Sequence, residues 1–388
     1  IIMGFHLWQQ SWLQYVIPRD IFAFLGVRNF SLVWIPRTGY MLVDVLLLLS
    51  AFCLFLPYAR QMTDPLSPAP DSPGLFYKKR LVRILPPYYL CILVYAIFLV
   101  RPADYPSLSH YLRDLFSHIT FTHTMSAYTY FNTQYPTTLW TLCAEMQFYL
   151  IFPLLARLFR RFPLQTWICM NIAAQLFISF FAHTADGGAD SFMINRLPAF
   201  LGVFANGMLA AYFCCFLRKD TAALPQKAVK RLATGISIFL FCALVCMLKD
   251  GLNRAGSIQR WQVDYRFCFS LFVCVLILAL DHAHRPLQFV FSCKPVRFLA
   301  AISYNLYLWH APVLLQLKAL RIPWYPDAPE GASAWPQSAS SESWHRAWQF
   351  RYVAVFWLVT LLLAALITYL FEEPLRKALM KLKIKRKA

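Results

Sequence analysis

Charge is scarce in this chain, and negative charge is scarcest. Of 388 residues, 14% are charged, with 18 Asp and Glu against 37 Lys and Arg. Soluble domains carry about 25% charged residues. With 59% hydrophobic residues and a mean hydropathy of +0.49, the composition excludes an ordinary soluble domain and indicates a polytopic membrane protein. No C-x-x-C pair occurs among the eleven cysteines, which leaves a zinc cluster without support, and no metal is expected. His110, His118 and His123 share one inter-span segment, and His282 and His284 share another. Their spacings match no helical zinc motif, so solvated loop positions are expected. The absence of G-x-x-x-x-G-K-[ST] and G-x-S-x-G argues against an ATPase and an α/β-hydrolase. No repeat array or low-complexity tract is present. The net charge of +19 is explained by basic cytoplasmic loops, so nucleic acid is not an expected partner.

What the chain does have is apolar runs. Ten approach spanning length: 1–17, 38–58, 84–100, 138–157, 165–183, 197–217, 233–249, 266–281, 298–317 and 352–371. They predict an all-α membrane bundle forming one domain over 1–388, with a basic tail at 372–388. The first run starts at residue 1 without a basic flank, so it reads as a span whose beginning is missing rather than as a cleavable signal. Aromatic residues at 17% fit interfacial belts. Placing the loops after the second, fourth, sixth and eighth runs on one side, with the tail, collects roughly 23 of the 37 basic residues, and that side is read as cytoplasmic. Both termini then face the cytoplasm, in a bacterial inner membrane. The tail's Lys and Arg read as a stop signal and anionic-lipid contact. The longest outer segments are 101–137 and 318–351, the second a loop rich in Ser and Pro. The cysteines fall in apolar runs and read as small buried hydrophobes rather than disulfides.

Glu145 lies in T-T-L-W-T-L-C-A-E-M-Q-F-Y-L-I-F-P-L-L, where no other charge occurs before Arg157. A carboxylate at that depth costs roughly 2.5–3.5 kcal/mol to insert, which marks it as a site or the partner of one. His6 is either an interfacial histidine bonded to a carbonyl or a general base, since imidazole titrates near neutrality. Asp44, near the outer end of the second run, either pairs internally, with Arg37 or Arg196, or serves the site. Arg80 and Arg83 share one helix face at i, i+3. They are either a positive-inside flank or a bidentate anion clamp. His310, closing I-S-Y-N-L-Y-L-W-H, is either a site partner or a packed histidine on a backbone carbonyl. Trp140 and Tyr304 add polar groups within the spans.

Six words of the sequence, in order, resemble the acyltransferase-3 family of membrane O-acyltransferases. They are G-x-x-x-V-D-V with L-S-A-F (39–52), R-L-V-R-I-L-P-P-Y (80–88), L-W-T-L-C-A-E-M-Q-F-Y-L-I-F-P (139–153), R-L-P-A-F-L-G (196–202), I-S-Y-N-L-Y-L-W-H-A-P-V (302–313) and F-E-E-P-L-R (371–376). The resemblance implies transfer of an acyl group, commonly acetyl from acetyl-CoA as co-substrate, with no permanently bound cofactor. The acceptor it implies is a hydroxyl of an envelope glycan, lipid-linked sugar or glycoside. It implies a catalytic histidine at His6, a functional glutamate at Glu145 and donor-binding arginines at Arg80 and Arg83. The chain departs from the pattern at Ala51, where the family usually has glycine. The basic residue expected eleven positions before the histidine would precede residue 1. Nothing within 1–388 reads as the esterase-like domain that some relatives carry.

The other reading is a transporter or flippase of a glycan or lipid, which also shows many spans and intramembrane charges. No internal inverted repeat supports it. A non-catalytic scaffold for an envelope complex is a third reading.

Overall fold

A computed structural model describes residues 1–11, 16–17, 30–31, 34–182, 189–253, 258–324 and 343–382. The Ser-rich loop expected within 318–351 and the end of the basic tail fall largely outside these residues. Among them, nine helical runs are long and apolar enough to cross a membrane, matching nine of the ten expected. In the first run the described residues form α1 (Ile2–Ser11), and residues 12–15 lie outside the described ones. The principal helices that follow are α2 (Val43–Thr63), α3 (Pro73–Val94), α4 (Leu108–Ile119), α5 (Trp140–Arg161), α6 (Pro163–Ala182), α7 (Leu197–Asp220), α8 (Gln226–Asn253), α9 (Ile258–His282), α10 (Lys294–Ala319), α11 (Ser343–Leu366) and α12 (Glu373–Lys381). A two-residue antiparallel pair, Val16–Ile17 with Phe30–Ser31, is the only sheet among the described residues.

Leu, Val, Phe and Ala runs form these helices because lipid offers backbone groups no partner outside the helix itself. Prolines sit inside several of them, at Pro57, Pro86, Pro87, Pro153 and Pro312. Pro312 removes the N–H that would bond the Leu308 carbonyl. That carbonyl instead faces the Cys91 thiol at 3.9 Å.

The chain divides into two compact units. The first comprises Ile1–Leu42, Arg83–Cys91 and Phe298–Ala388; the second comprises Val43–Val82 and Ile92–Arg297. In the first unit, Leu7, Val313, Leu314, Leu317, Trp348, Tyr352 and Phe356 form a buried core. The Tyr352 hydroxyl donates to the Leu314 carbonyl at 2.6 Å within it. Gly39 meets α1 so closely that a Cβ there would lie 2.6 Å from the Ile1 carbonyl oxygen and 2.8 Å from Phe5 Cβ.

In the second unit α2 packs along α7. A Cβ on Gly207 would come within 2.9 Å of Ala51 Cβ, and Ala51 is itself fully buried. The alanine that departs from the family word therefore faces a glycine across the interface. Small residues let membrane helices approach this closely.

None of the eleven cysteines forms a disulfide. Cys91, Cys143, Cys214, Cys215 and Cys274 are buried as expected, but Cys53, Cys169, Cys242, Cys246 and Cys268 lie on exposed helix faces. An apolar run shows that a thiol is in a span and leaves open which face of the helix carries it.

Candidate active site

The first unit brings two of the candidate histidines together. His6 sits on α1, and its Nδ1 is 3.2 Å from the Gln9 side-chain oxygen. An amide oxygen only accepts, so Nδ1 carries the proton and Nε2 keeps its lone pair. The His310 ring lies 5.3 Å away, centroid to centroid, tilted by 38°. His310 Nδ1 donates to the Tyr307 carbonyl at 2.7 Å. Its Nε2 is buried and has no hydrogen-bond partner among the described residues. His310 is thus bonded to a carbonyl and stands beside the candidate base. The Tyr304 hydroxyl, one turn earlier on α10, donates to the Ile84 carbonyl at 2.8 Å. That bond ties α10 to α3.

A third contact in this unit was not foreseen. Asn305 Nδ2 donates to Glu372 Oε2 at 2.7 Å and to Thr368 Oγ1 at 2.9 Å. Glu372 ends a π-helical turn, Ile367–Glu372, and is buried. The signal was on the page of the sequence, since Asn305 and Glu372 belong to two of the six words.

Glu145 lies in the second unit, on α5. Two hydroxyls donate to the same oxygen, Oε1: Ser50 Oγ of α2 at 2.5 Å and Tyr149 one turn further along α5. The two hydroxyl oxygens are 3.4 Å apart. No cation bridges this carboxylate among the described residues, and it is only half-buried. Ser50 and Tyr149 were not singled out by sequence. Both lie inside family words, L-S-A-F and F-Y-L-I-F-P, and that was the available clue.

Asp44 is different. It is buried against Arg266 of α9, whose Nε donates to Oδ2 at 3.0 Å. The expected partners were Arg37 or Arg196, and neither is used. The Arg37 guanidinium sits over the Trp8 ring at 5.5 Å, and that of Arg196 over Phe192 at 5.0 Å. Arg266 also donates from Nη1 to the carbonyls of Ile194 (3.1 Å) and Ala199 (3.4 Å), and lies 4.3 Å over the Phe200 ring. Trp140 stacks on the same Phe200 at 5.8 Å. Asp44, Arg266, Phe200 and Trp140 therefore make one buried fastening of α2, α9, α7 and α5.

On α3, the Arg80 guanidinium lies 5.8 Å from the Phe76 ring centroid, and its buried Nε has no partner among the described residues. Arg83 is exposed. No carboxylate neutralises Arg80 by a salt bridge among the described residues. Lys79 beside it is held by Asp71 at 2.7 Å. Arg80 thus lacks a salt-bridging carboxylate among the described residues, whereas Arg83 interacts electrostatically with Glu372.

The histidines of the segment between α3 and α5 correct another expectation. His118 and His123 are buried, not solvated, and their rings stack 4.2 Å apart at 2°. His118 Nδ1 donates to the Asp114 carbonyl at 2.9 Å and lies 3.3 Å from its carboxylate. Asp114 Oδ2 accepts from the Tyr105 hydroxyl (2.7 Å) and Thr133 (3.0 Å). Burial and the neighbouring His118 ring hold His123 well below the usual histidine pKa. Burial and the Asp114 carboxylate push the Tyr105 phenol upward. No group of three or more metal-ligating side chains occurs among the described residues.

The acyltransferase domain model Acyl_transf_3 matches residues 1–373. A peptidoglycan O-acetyltransferase, OatA, of Listeria monocytogenes is 25% identical over 311 residues, which cover 74% of this chain and 46% of that protein. The O-acetyltransferase OatA of Staphylococcus aureus is 27% identical over 312 residues, covering 76% and 46%. This chain thus spans about half the length of the relatives it matches. No solved structure matches it. A family model that runs from residue 1 to the last of the six words decides the matter: the chain belongs to the acyltransferase-3 family.

Proposed function

We propose that the chain is a membrane O-acyltransferase that moves an acetyl group from cytoplasmic acetyl-CoA to a hydroxyl of an extracytoplasmic glycan. Family membership supports the reaction class, and the names of the relatives support a carbohydrate acceptor. The observation that carries the reading is the His6–His310 pair, two imidazoles 5.3 Å apart with each Nδ1 already engaged. That arrangement leaves the Nε2 of each ring able to take a proton, and the family resemblance assigns the base to His6.

Coenzyme A is anionic, so its phosphates meet Arg80 and Arg83, where a guanidinium fork suits a phosphate. The acceptor oxygen attacks the thioester carbonyl as His6 Nε2 removes its proton. The C–S bond then breaks, and the proton passes to the departing thiolate. Glu145 is the second group the reading counts as functional, as the family resemblance implies. A thioester is the more activated acyl donor, so neither ATP nor an ion gradient is required.

The test is acetyl-CoA-dependent O-acetylation of envelope glycan, read by mass spectrometry, in wild type, His6→Ala and Glu145→Gln at matched expression. Loss of acetylation in both variants is expected. Full acetylation in both would remove the assigned roles, and transport of a glycan without any acyl donor would replace the reaction altogether.

A further inference from the structure

Helix α4 is built inside out. Asp114 and His118 are completely buried, and Ser117 nearly so, whereas Leu108 is 61% exposed, Leu112 52%, Phe116 65% and Ile119 42%. At about 100° per residue, positions 108, 112, 116 and 119 fall in one stripe, opposite 114, 117 and 118. The polar face is the one that is satisfied by the protein. Asp114 accepts from Tyr105 and Thr133, His118 bonds back to Asp114, and Tyr135 stacks on His118 at 4.7 Å. A helix in water has no reason to turn its carboxylate inward and four large apolar side chains outward.

We propose that the exposed face of α4 lies in the bilayer surface, with Leu108, Leu112, Phe116 and Ile119 seated at the boundary of lipid headgroups and acyl chains. The occupant is fixed by continuity. The span Pro73–Leu99 ends shortly before α4, and its last turns expose Leu93, Ile97 and Phe98 as a lipid-facing belt. The next span begins at Thr137. A segment tied at both ends to one face of the membrane keeps α4 within reach of that face. Met125 and Phe131, also more than half uncovered or nearly so at 54% and 50%, extend the apolar surface of the same segment. Arg113, exposed beside the stripe, holds Ser126 at 2.8 Å and overlies Tyr128 at 5.7 Å, giving the polar rim that such helices present to headgroups. The usual interfacial helix turns its polar face to water. In α4 that face is spent on the protein, so the lipid contact also holds a buried histidine–carboxylate cluster at the membrane surface.

The inference does not depend on the acyl-transfer reading. It is tested on the whole wild-type chain in vesicles of phosphatidylethanolamine and phosphatidylglycerol. These are doped with a phosphatidylcholine bearing a photoactivatable diazirine in one acyl chain. Peptides from the lipid-facing spans report that labelling has worked. Adducts at Leu112 and Phe116 are expected, together with loss of hydroxyl-radical oxidation at Phe116 relative to Tyr128. Labelled spans with an unlabelled 108–119 peptide would overturn the proposal, as would a Phe116 oxidised as readily as an aqueous side chain. Cross-links from this face to a second copy of the chain would also overturn it.

Discussion

Asp44 and Glu145, two of the carboxylates inside the spans of the second unit, are partnered in opposite ways. Asp44 is sealed against a guanidinium that also binds two carbonyls and an aromatic face. Glu145 is held by two neutral hydroxyls on one oxygen, with no salt-bridging cation among the described residues. A buried ion pair has its charge answered by the protein and serves as a fastening. A carboxylate given only hydroxyl donors is not fastened by a countercharge. The two residues looked alike as sequence anomalies, and the kind of partner is what separates them.

The largest effects should separate them too. Glu145→Gln and His6→Ala are expected to lower acetyl transfer by about 10²–10⁴-fold, the range of a lost acid or base, with thermal stability in detergent little changed. Asp44→Asn is expected to do the reverse. It leaves Arg266 buried without its charge partner, which costs about 3–5 kcal/mol in comparable buried pairs, so the yield of folded protein should fall. Replacing both members, Asp44→Leu with Arg266→Met, should recover part of that loss. If Asp44→Asn folds normally but is inactive, the division between fastening and working carboxylate fails.

Ser50→Ala and Tyr149→Phe sharpen the comparison from the other side. Each removes one hydroxyl donor to Glu145 Oε1, and a hydrogen bond to a charged group is worth about 1.5–3 kcal/mol. Either change should therefore slow transfer by roughly tenfold or more, while the double variant approaches Glu145→Gln. Ser50→Thr, which keeps a hydroxyl, should retain more activity than Ser50→Ala. Equal activity for all four would show that Glu145 works without this support.

The fold was legible because lipid reduces the choice of secondary structure to one, and a run of apolar residues then declares a helix. The site was legible as a set of words but not as a set of contacts. Ser50 and Glu145 are 95 residues apart in sequence, and Asp44 and Arg266 are 222 apart. Nothing local in L-S-A-F names a glutamate, and two plausible arginines were nearer to Asp44 than the one it uses. His118 and His123 were misplaced for a related reason. Their segment lies between spans, and residues between spans are ordinarily wet, but here Asp114, Tyr105 and Tyr135 enclose them.

Those histidines offer a third test of the same idea, with the smallest expected effect. Unlike Asp44, His123 is buried beside another imidazole rather than a countercharge, so it is kept neutral. Its folded pKa lies well below 6.5, whereas the unfolded chain takes up a proton at about 6.5. Below that value the unfolded state binds more protons, so the stability contributed by neutral His123 is present above about pH 6.5 and is lost as the pH falls. The loss approaches about 1.4 kcal/mol per pH unit. Thermal unfolding in nanodiscs between pH 7.5 and 5 should therefore show a falling midpoint for wild type and a flatter one for His123→Phe. The comparison with Glu145 then becomes quantitative. Glu145 variants should change the rate at every pH without this slope, and His123 variants should change the slope while transfer at pH 7.5 continues. A His123→Phe profile parallel to wild type would mean that burial does not hold His123 below the usual histidine range.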